Sequence, residues 1–150
     1  MVRDVLGFCF MENSQSKSLY LVSACLIGLC TRYDGKIKPS AECLDFLSDH
    51  TFIPVCPEQL GGLPTPRPAA DLIHGDGAAV LAGTAAVYTK DGTDVTKAFI
   101  LGAEQVLQIA QSQTVTGICL KARSPSCAVS GSIGVTAALL QKHGFTLIEF

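Results

Sequence analysis

Apolar positions along the chain come in short unbroken runs, with stretches of helical spacing between them. "SLYLVSAC" (18–25), "TFIPVCP" (51–57), "TGICLKA" (116–122) and "FTLIEF" (145–150) are the runs. Unbroken runs of this length read as strands buried on both faces, the habit of parallel sheets. "SAECLDFLSDH" (40–50) reads as a helix: Ser40 is its N-cap, Glu42 lies in its first turn, and Cys43, Leu44, Phe46 and Leu47 fall near helical spacing. "DVTKAFILGAEQVLQIAQS" (94–112) is the longest predicted helix, capped by Asp94 or Thr96. "IGVTAALLQKHG" (133–144) is a third, with His143 in its last turn and Gly144 as C-cap. Residues 77–96 read as a β-hairpin or excursion that turns at Asp91–Gly92. Loops follow the first strand (26–40, broken by Gly28, Gly35 and Pro39) and the third (123–132). Strand, helix, strand, helix, strand, helix, strand predicts an α/β fold, a mainly parallel sheet with crossover helices and a small β-hairpin excursion.

Composition narrows this further. The 150 residues suffice for one domain with a real core, and 48% hydrophobic against 16% charged residues argues against disorder. A net charge of −2 gives no footprint for a nucleic-acid duplex. No apolar run reaches the roughly 18 residues of a membrane span. The opening "MVRDVLGFCFMENSQSKS" has too short an apolar patch, and no small-residue cleavage site, for a signal peptide. The expectation is a cytoplasmic protein with a flexible N-terminal extension over 1–17 and a domain over 18–150. Neither a GxGxxG after strand one nor a P-loop is present.

Seven cysteines is a high count, and an odd one. Without a secretion signal a disulfide framework is not expected. The absence of any CxxC pair removes a zinc ribbon and a thioredoxin-type motif. The predicted elements sort the thiols. Cys25 is the last residue of strand one, Cys56 ends strand two, and Cys127 lies just after strand three. All three belong to the carboxyl edge of one sheet, where open α/β sheets place their sites. Cys43, inside a helix, and Cys119, inside a strand, are most simply core residues. Cys9 and Cys30 have no clear role. Three thiolates on one rim can bind a metal centre. Zinc would want a fourth ligand, whereas a four-iron cluster can take three cysteines and leave one iron open as a Lewis acid. Spacing alone does not choose between such a centre and strand ends that carry cysteine by chance.

The neighbours of these thiols add chemistry. "FIPVCPEQLGGLPTPRP" (52–68) puts Glu58 two residues past Cys56. Prolines 54, 57, 64, 66 and 68 stiffen that loop, and Gly61 and Gly62 permit a tight bend. A fixed carboxylate can move protons, although a solvated loop glutamate is the commoner fate. Ser124 and Ser126 bracket Pro125 just before Cys127, where ordinary turn chemistry would also place serines. Lys121, Arg123, Arg32 and Arg67 lie near the same rim, either as surface charges or as a clamp on a small anionic or heterocyclic ligand.

"SACLIG…RYDGK", "PVCPEQLGGLPTPRP", "KDGTDVT", "LKARSPSC" and "GVTAALLQKHG" occur in this order. Together they resemble the thiouracil desulfurase (desulfidase) family, long known only as a bacterial domain of unknown function. The resemblance runs from about Leu21 to the C-terminus. It implies a Rossmann-like domain and a [4Fe-4S] cluster on three cysteines, with the fourth iron free to take the sulfur of a thiolated nucleobase. The matching positions are Cys25, Cys56 and Cys127 for the cluster and Glu58 as the glutamate of the CPE block. Ser124 is the better match to the catalytic serine, Ser126 the second. Substrate contacts are then expected from Ser126, Arg67 and Lys121. The reaction implied is C–S cleavage of a small 2-thiouracil-like compound into uracil and sulfide. Alternatives are a non-catalytic metal or iron–sulfur sensing module, and sulfur transfer on the same cluster. A sensor needs no fixed carboxylate and serine beside its ligands. The chain departs from the family pattern in three places. Only "AVSGSI" separates "SPSC" from "GVTAALL", Ala128 stands where glycine is usual, and Asp71 stands where glutamate is frequent.

Overall fold

The computed structural model describes residues 17–150. The expected N-terminal extension therefore lies outside the described residues but for Lys17, and Cys9 lies outside with it. Four strands, β1 (Leu19–Ser23), β2 (Thr51–Val55), β5 (Gly117–Leu120) and β6 (Leu147–Glu149), form a parallel sheet in the order β2-β1-β5-β6. The two central strands are the two most apolar. Leu21, Val22, Ile118, Cys119 and Leu120 are fully buried, which is why their runs show no alternation. Pro54 is tolerated because β2, among the described residues, is an edge strand paired only with β1, with Val22 opposite Pro54.

Helices α1 (Ala41–Leu47), α4 (Thr96–Ser112) and α5 (Val135–Lys142) cover the sheet. The Ser40 side chain accepts from the Cys43 amide at 3.2 Å and starts α1. On α4, Phe99, Gly102, Ala103, Val106 and Ala110 recur at helical spacing and form the buried stripe. The carboxylate of Asp94 accepts from the Thr96 amide at 2.9 Å, while the Thr96 hydroxyl ties to the backbone of Val87. One core layer joins Leu21, Ile118 and Leu120 to Val106, Ala137 and Leu140. The other joins Tyr20, Val22, Leu26 and Leu47 and contains Cys43 and Cys119, both fully buried. Among the described residues, no helix is long and apolar enough to cross a membrane.

The middle of the chain differs from the sequence expectation. Residues 77–96 do not form a hairpin by themselves. They contain a short helix, α3 (Gly77–Leu81), and one strand, β4 (Ala86–Thr89). The antiparallel partner of β4 is β3 (Ala70–Ile73), which continues straight out of the proline-rich stretch. Asp76 caps α3 by accepting from the Ala79 amide at 3.0 Å. The turn at Asp91–Gly92 is present, with Gly92 at φ +87°. A further short helix, α2 (Pro57–Leu60), begins directly after β2, with proline at its first position.

Gly61 also has a different role from the one expected. It continues α2 in a right-handed conformation, and the bend belongs to Gly62 at φ +94°. Gly61 is required by contact instead. A Cβ there would lie 2.0 Å from the Ala98 carbonyl oxygen, and a Cβ on Gly102 would lie 1.9 Å from that of Pro57. The two glycines let α2 and α4 meet backbone to backbone. That contact sets the depth of α2, and with it Cys56 and Glu58.

Candidate active site

The carboxyl ends of β1, β2 and β5 open onto a cavity of about 660 Å³. Cys25, Cys56 and Cys127 all line it, together with Glu58, Arg67, Lys121, Ser124 and Ser126. Cys25 is not the last residue of its strand. β1 stops at Ser23, and the chain winds into a 3-10 turn, Ala24–Ile27, which Gly28 ends at φ +90°. Cys56 is the N-cap residue of α2, with its sulfur 3.9 Å from the Thr31 carbonyl oxygen. Cys127 lies in the tight turn after β5 and is almost fully buried. Among the described residues, the turn's Arg123 and the hairpin's His74 are the non-glycine residues at positive φ; Arg123 is at 58°.

Burial pushes the Cys25 thiol up, and Cys56 adds to this, while Lys121 and Arg32 pull it down. Burial raises the Cys127 thiol to about 12, the hydrogen-bonded Ser23 side chain works against this, and Glu58, Cys25 and Cys56 push it further up. The three sulfurs thus lie within one another's electrostatic reach in a site that disfavours bare thiolates. A positive centre among them reverses that preference, because metal binding deprotonates its thiol ligands. Among the described residues, no three Cys, His, Asp or Glu side chains are gathered closely enough to hold a single metal ion. A four-iron cluster makes a different demand, since each thiolate binds a different iron and the sulfurs stand farther apart than around one ion.

Glu58 faces the same cavity from the first turn of α2. The Ser126 hydroxyl, 1% exposed as a residue, donates to its Oε1 at 3.2 Å. Arg67 donates to Oε2 through Nε, and its Nη2 makes an ion pair with the same oxygen. The other Arg67 donors go to the Pro64 carbonyl at 3.2 Å, the Thr65 hydroxyl at 3.0 Å and the Thr31 carbonyl at 2.9 Å. Of the five N–H groups of a guanidinium, four make hydrogen bonds within the protein: Nε to Glu58, both of Nη1 to Pro64 and Thr65, and one of Nη2 to Thr31. Arg67 fixes Glu58 and staples the proline loop to the loop at Thr31.

Ser124 and Ser126 divide the work that the sequence left undivided. The Ser124 Oγ accepts from the amides of Ser126 at 3.2 Å and Cys127 at 3.1 Å, which shapes the turn and leaves its O–H as a donor. Ser126 is the serine that touches Glu58. The turn is also held from behind. The amides of Val135 and Thr136, opening α5, donate to the carbonyls of Pro125 and Ser126 at 2.9 Å. Gly134 makes that contact possible, since a Cβ there would lie 2.3 Å from the Ser126 carbonyl carbon. The short loop after Cys127 is closed by Glu149, which accepts from the Val129 and Ser130 amides and the Ser130 hydroxyl. Lys121 lines the cavity with its Nζ 3.3 Å from the Ala122 carbonyl, and Arg32 is paired with Asp34 at 3.0 Å. Cys30 is exposed and bonds the Gly35 carbonyl at 3.4 Å.

The sequence reading did not name Ser23 or Thr31. Ser23 lines the cavity and accepts from the Lys121 amide at 3.1 Å, and its side chain pulls the Cys127 thiol down; Thr31 offers its carbonyl. A main-chain acceptor leaves no trace in residue type, so only Ser23, two positions before Cys25, carried any signal.

The family model described as 2-thiouracil desulfurase matches residues 20–149. A Bacillus subtilis (strain 168) protein named "Uncharacterized protein YbbK" is 38% identical over 144 residues, which span 87% of this chain and 95% of that protein. Among solved structures, a "[4Fe-4S]-dependent thiouracil desulfidase TudS" superposes with a TM-score of 0.74 at 36% identity, covering 89% of this chain and 91% of the other.

Proposed function

We propose, from the premise that the chain belongs to the 2-thiouracil desulfurase family, that it removes the sulfur of a small thiolated pyrimidine as sulfide. Cys25, Cys56 and Cys127 would hold a [4Fe-4S] cluster like that named for the structural relative. When bound, the cluster supplies a Lewis-acidic iron with no protein ligand, suited to a thiocarbonyl sulfur. The observation that carries the reading is the meeting of three thiols with the Glu58–Ser126 pair in one cavity. A storage or sensing module has no need of that pair.

The chain's own groups then have separable tasks. Glu58 takes the proton of a water molecule that attacks the ring carbon and returns it to the departing sulfur. One thiocarbonyl and one water become one carbonyl and one hydrogen sulfide, a hydrolysis without change of redox state. Ser126 and Arg67 hold the two carboxylate oxygens in place, so that the base does not have to be oriented during reaction. Ser124 and Lys121 keep donors for the ring or the water, because Ser126 and Arg67 are committed to Glu58. The six described cysteines are all free, in keeping with a reducing cytoplasm.

The test is purification without oxygen, followed by iron and acid-labile sulfide analysis and sulfide release from 2-thiouracil. Equal iron and sulfide with steady release is the expected result. Zinc in place of iron, or a full cluster without release, would refute the reading. Cys56→Ser should lose the iron.

A further inference from the structure

Glu58 and Arg67 form a wall with openings on both sides. Behind the main cavity lies a second pocket of about 190 Å³ that both residues also line, room for several waters at about 30 Å³ each in the liquid. Leu63, Val95 and Phe99 make its apolar part. Thr89, Asp91 and Thr93 make its polar part, and Asp91 and Thr93 are exposed, so the pocket meets solvent on the side of the β3–β4 hairpin. These residues belong to the block around "KDGTDVT", which the reaction above leaves without a task. Their turn is well held. The Thr89 amide donates to the Thr93 carbonyl at 2.9 Å, and the Asp91 carboxylate accepts from the hydroxyls of both threonines and from the Thr93 amide at 3.3 Å.

The reaction consumes one water per turnover. At that moment the main cavity also has to contain the group held by the three thiols and the thiolated ring, whereas, among the described residues, no cysteine lines the side pocket that reaches the same carboxylate. Glu58 still has capacity for the water. A carboxylate offers about four acceptor sites; Arg67 covers Oε2 with one hydrogen bond and an ion pair, and Ser126 takes one site on Oε1. One site on Oε1 stays open. A water in this mostly apolar, solvent-connected pocket finds its polar partners at Thr89, Asp91 and Thr93 and at the Glu58 carboxylate.

We infer that the side pocket is the entry for the reacting water, so that ring and water reach Glu58 from separate openings. The inference rests on the proposed desulfurisation. It assigns the hairpin turn a task in catalysis at a distance from the thiols.

Two variants and one structure test it. Leu63→Trp fills the pocket, and Thr93→Val removes a hydroxyl from its mouth without adding bulk. With iron content and KM for 2-thiouracil unchanged, kcat should fall about tenfold in Leu63→Trp and about threefold in Thr93→Val, the pattern of a lost step after binding. A crystal structure of the cluster-loaded protein should show ordered water in the side pocket within hydrogen-bond reach of Glu58. If Leu63→Trp does not fold, Thr93→Val and the water positions still decide. Unchanged kcat in the variants, or a dry side pocket in the parent, would overturn the inference while the desulfurisation stands. A parent with full iron that releases no sulfide would overturn both.

Discussion

Glu58→Gln separates holding from turning over. The substitution keeps size and shape and removes the ability to carry a proton. The structure shows how well glutamine would fit. Arg67 donates through Nε to one oxygen, Oε2, and Ser126 donates to the other. A glutamine can turn its carbonyl to Arg67 and its amide to Ser126, whose hydroxyl then accepts instead of donating. Every hydrogen bond survives, and only the charge assistance is lost. A charged bond is worth about 1.5–3 kcal/mol and a neutral one about 0.5–1.5, so two bonds lose about 2 kcal/mol together. For a chain of this size that is roughly 4–8 °C in Tm. The side chains are 7% and 12% exposed, so solvent screening takes little from this figure. Iron content and absorption spectrum should match the parent, because the three thiols are untouched. Turnover of 2-thiouracil should fall on the order of 10²-fold or more if Glu58 works as acid and base. The assay is sulfide release normalised to bound iron, at a temperature well below the lowered Tm. Parent-rate turnover at full iron would refute the mechanism and reduce Glu58 to a loop residue. Turnover that fell only in step with iron would refute it too, since the glutamate would then serve the metal site.

Cys43→Ser and Cys119→Ser should retain bound iron and lose about 1–3 kcal/mol in urea unfolding, the cost of a hydroxyl in a fully apolar place; loss of iron from either would place a core thiol among the ligands. Gly102→Ala should cost about 1–3 kcal/mol or more, because its new methyl meets the Pro57 backbone at 1.9 Å. It should also weaken iron retention, since the displaced helix begins at Cys56; an alanine variant with parent stability would disprove the close contact. Glu149 is held below the ordinary carboxylate range, first by the Ser130 side chain, with the Ser130 and Val129 amides adding to this. A depressed carboxylate stabilises the fold above its unfolded value of about 4.3, and the effect fades as pH falls through the folded value. The stability of Glu149→Gln should therefore depend less on pH below about 4 than that of the parent, which urea midpoints across acid pH would show.

What could be read from residue order alone follows from the physics of each element. β1 and β5 are apolar on both faces because they are the middle of the sheet, and α4 repeats its buried stripe over about three turns; such signals are long or unbroken, and they are legible. The Cys25, Cys56 and Cys127 edge was legible for the same reason, since strand ends locate it. The stretch from 70 to 89 was not. Its alanines and valines run through β3, α3 and β4 with no period to divide them, and the divider is the Asp76 cap, one side chain on one amide. Contacts across space were equally silent: nothing in "EQLGG" announces that Gly61 needs Gly102, forty-one positions on. The two serines show the limit most sharply. Residue order sets both beside Cys127 and favours Ser124 by resemblance, yet only the folded chain carries Ser126 to a carboxylate 68 residues away and turns Ser124 back onto its own turn. A side chain's chemistry is written in its type, but its partner is decided by packing. For that reason the charge of Arg67 announces a clamp, while its pairing with Glu58 shows only in the folded chain.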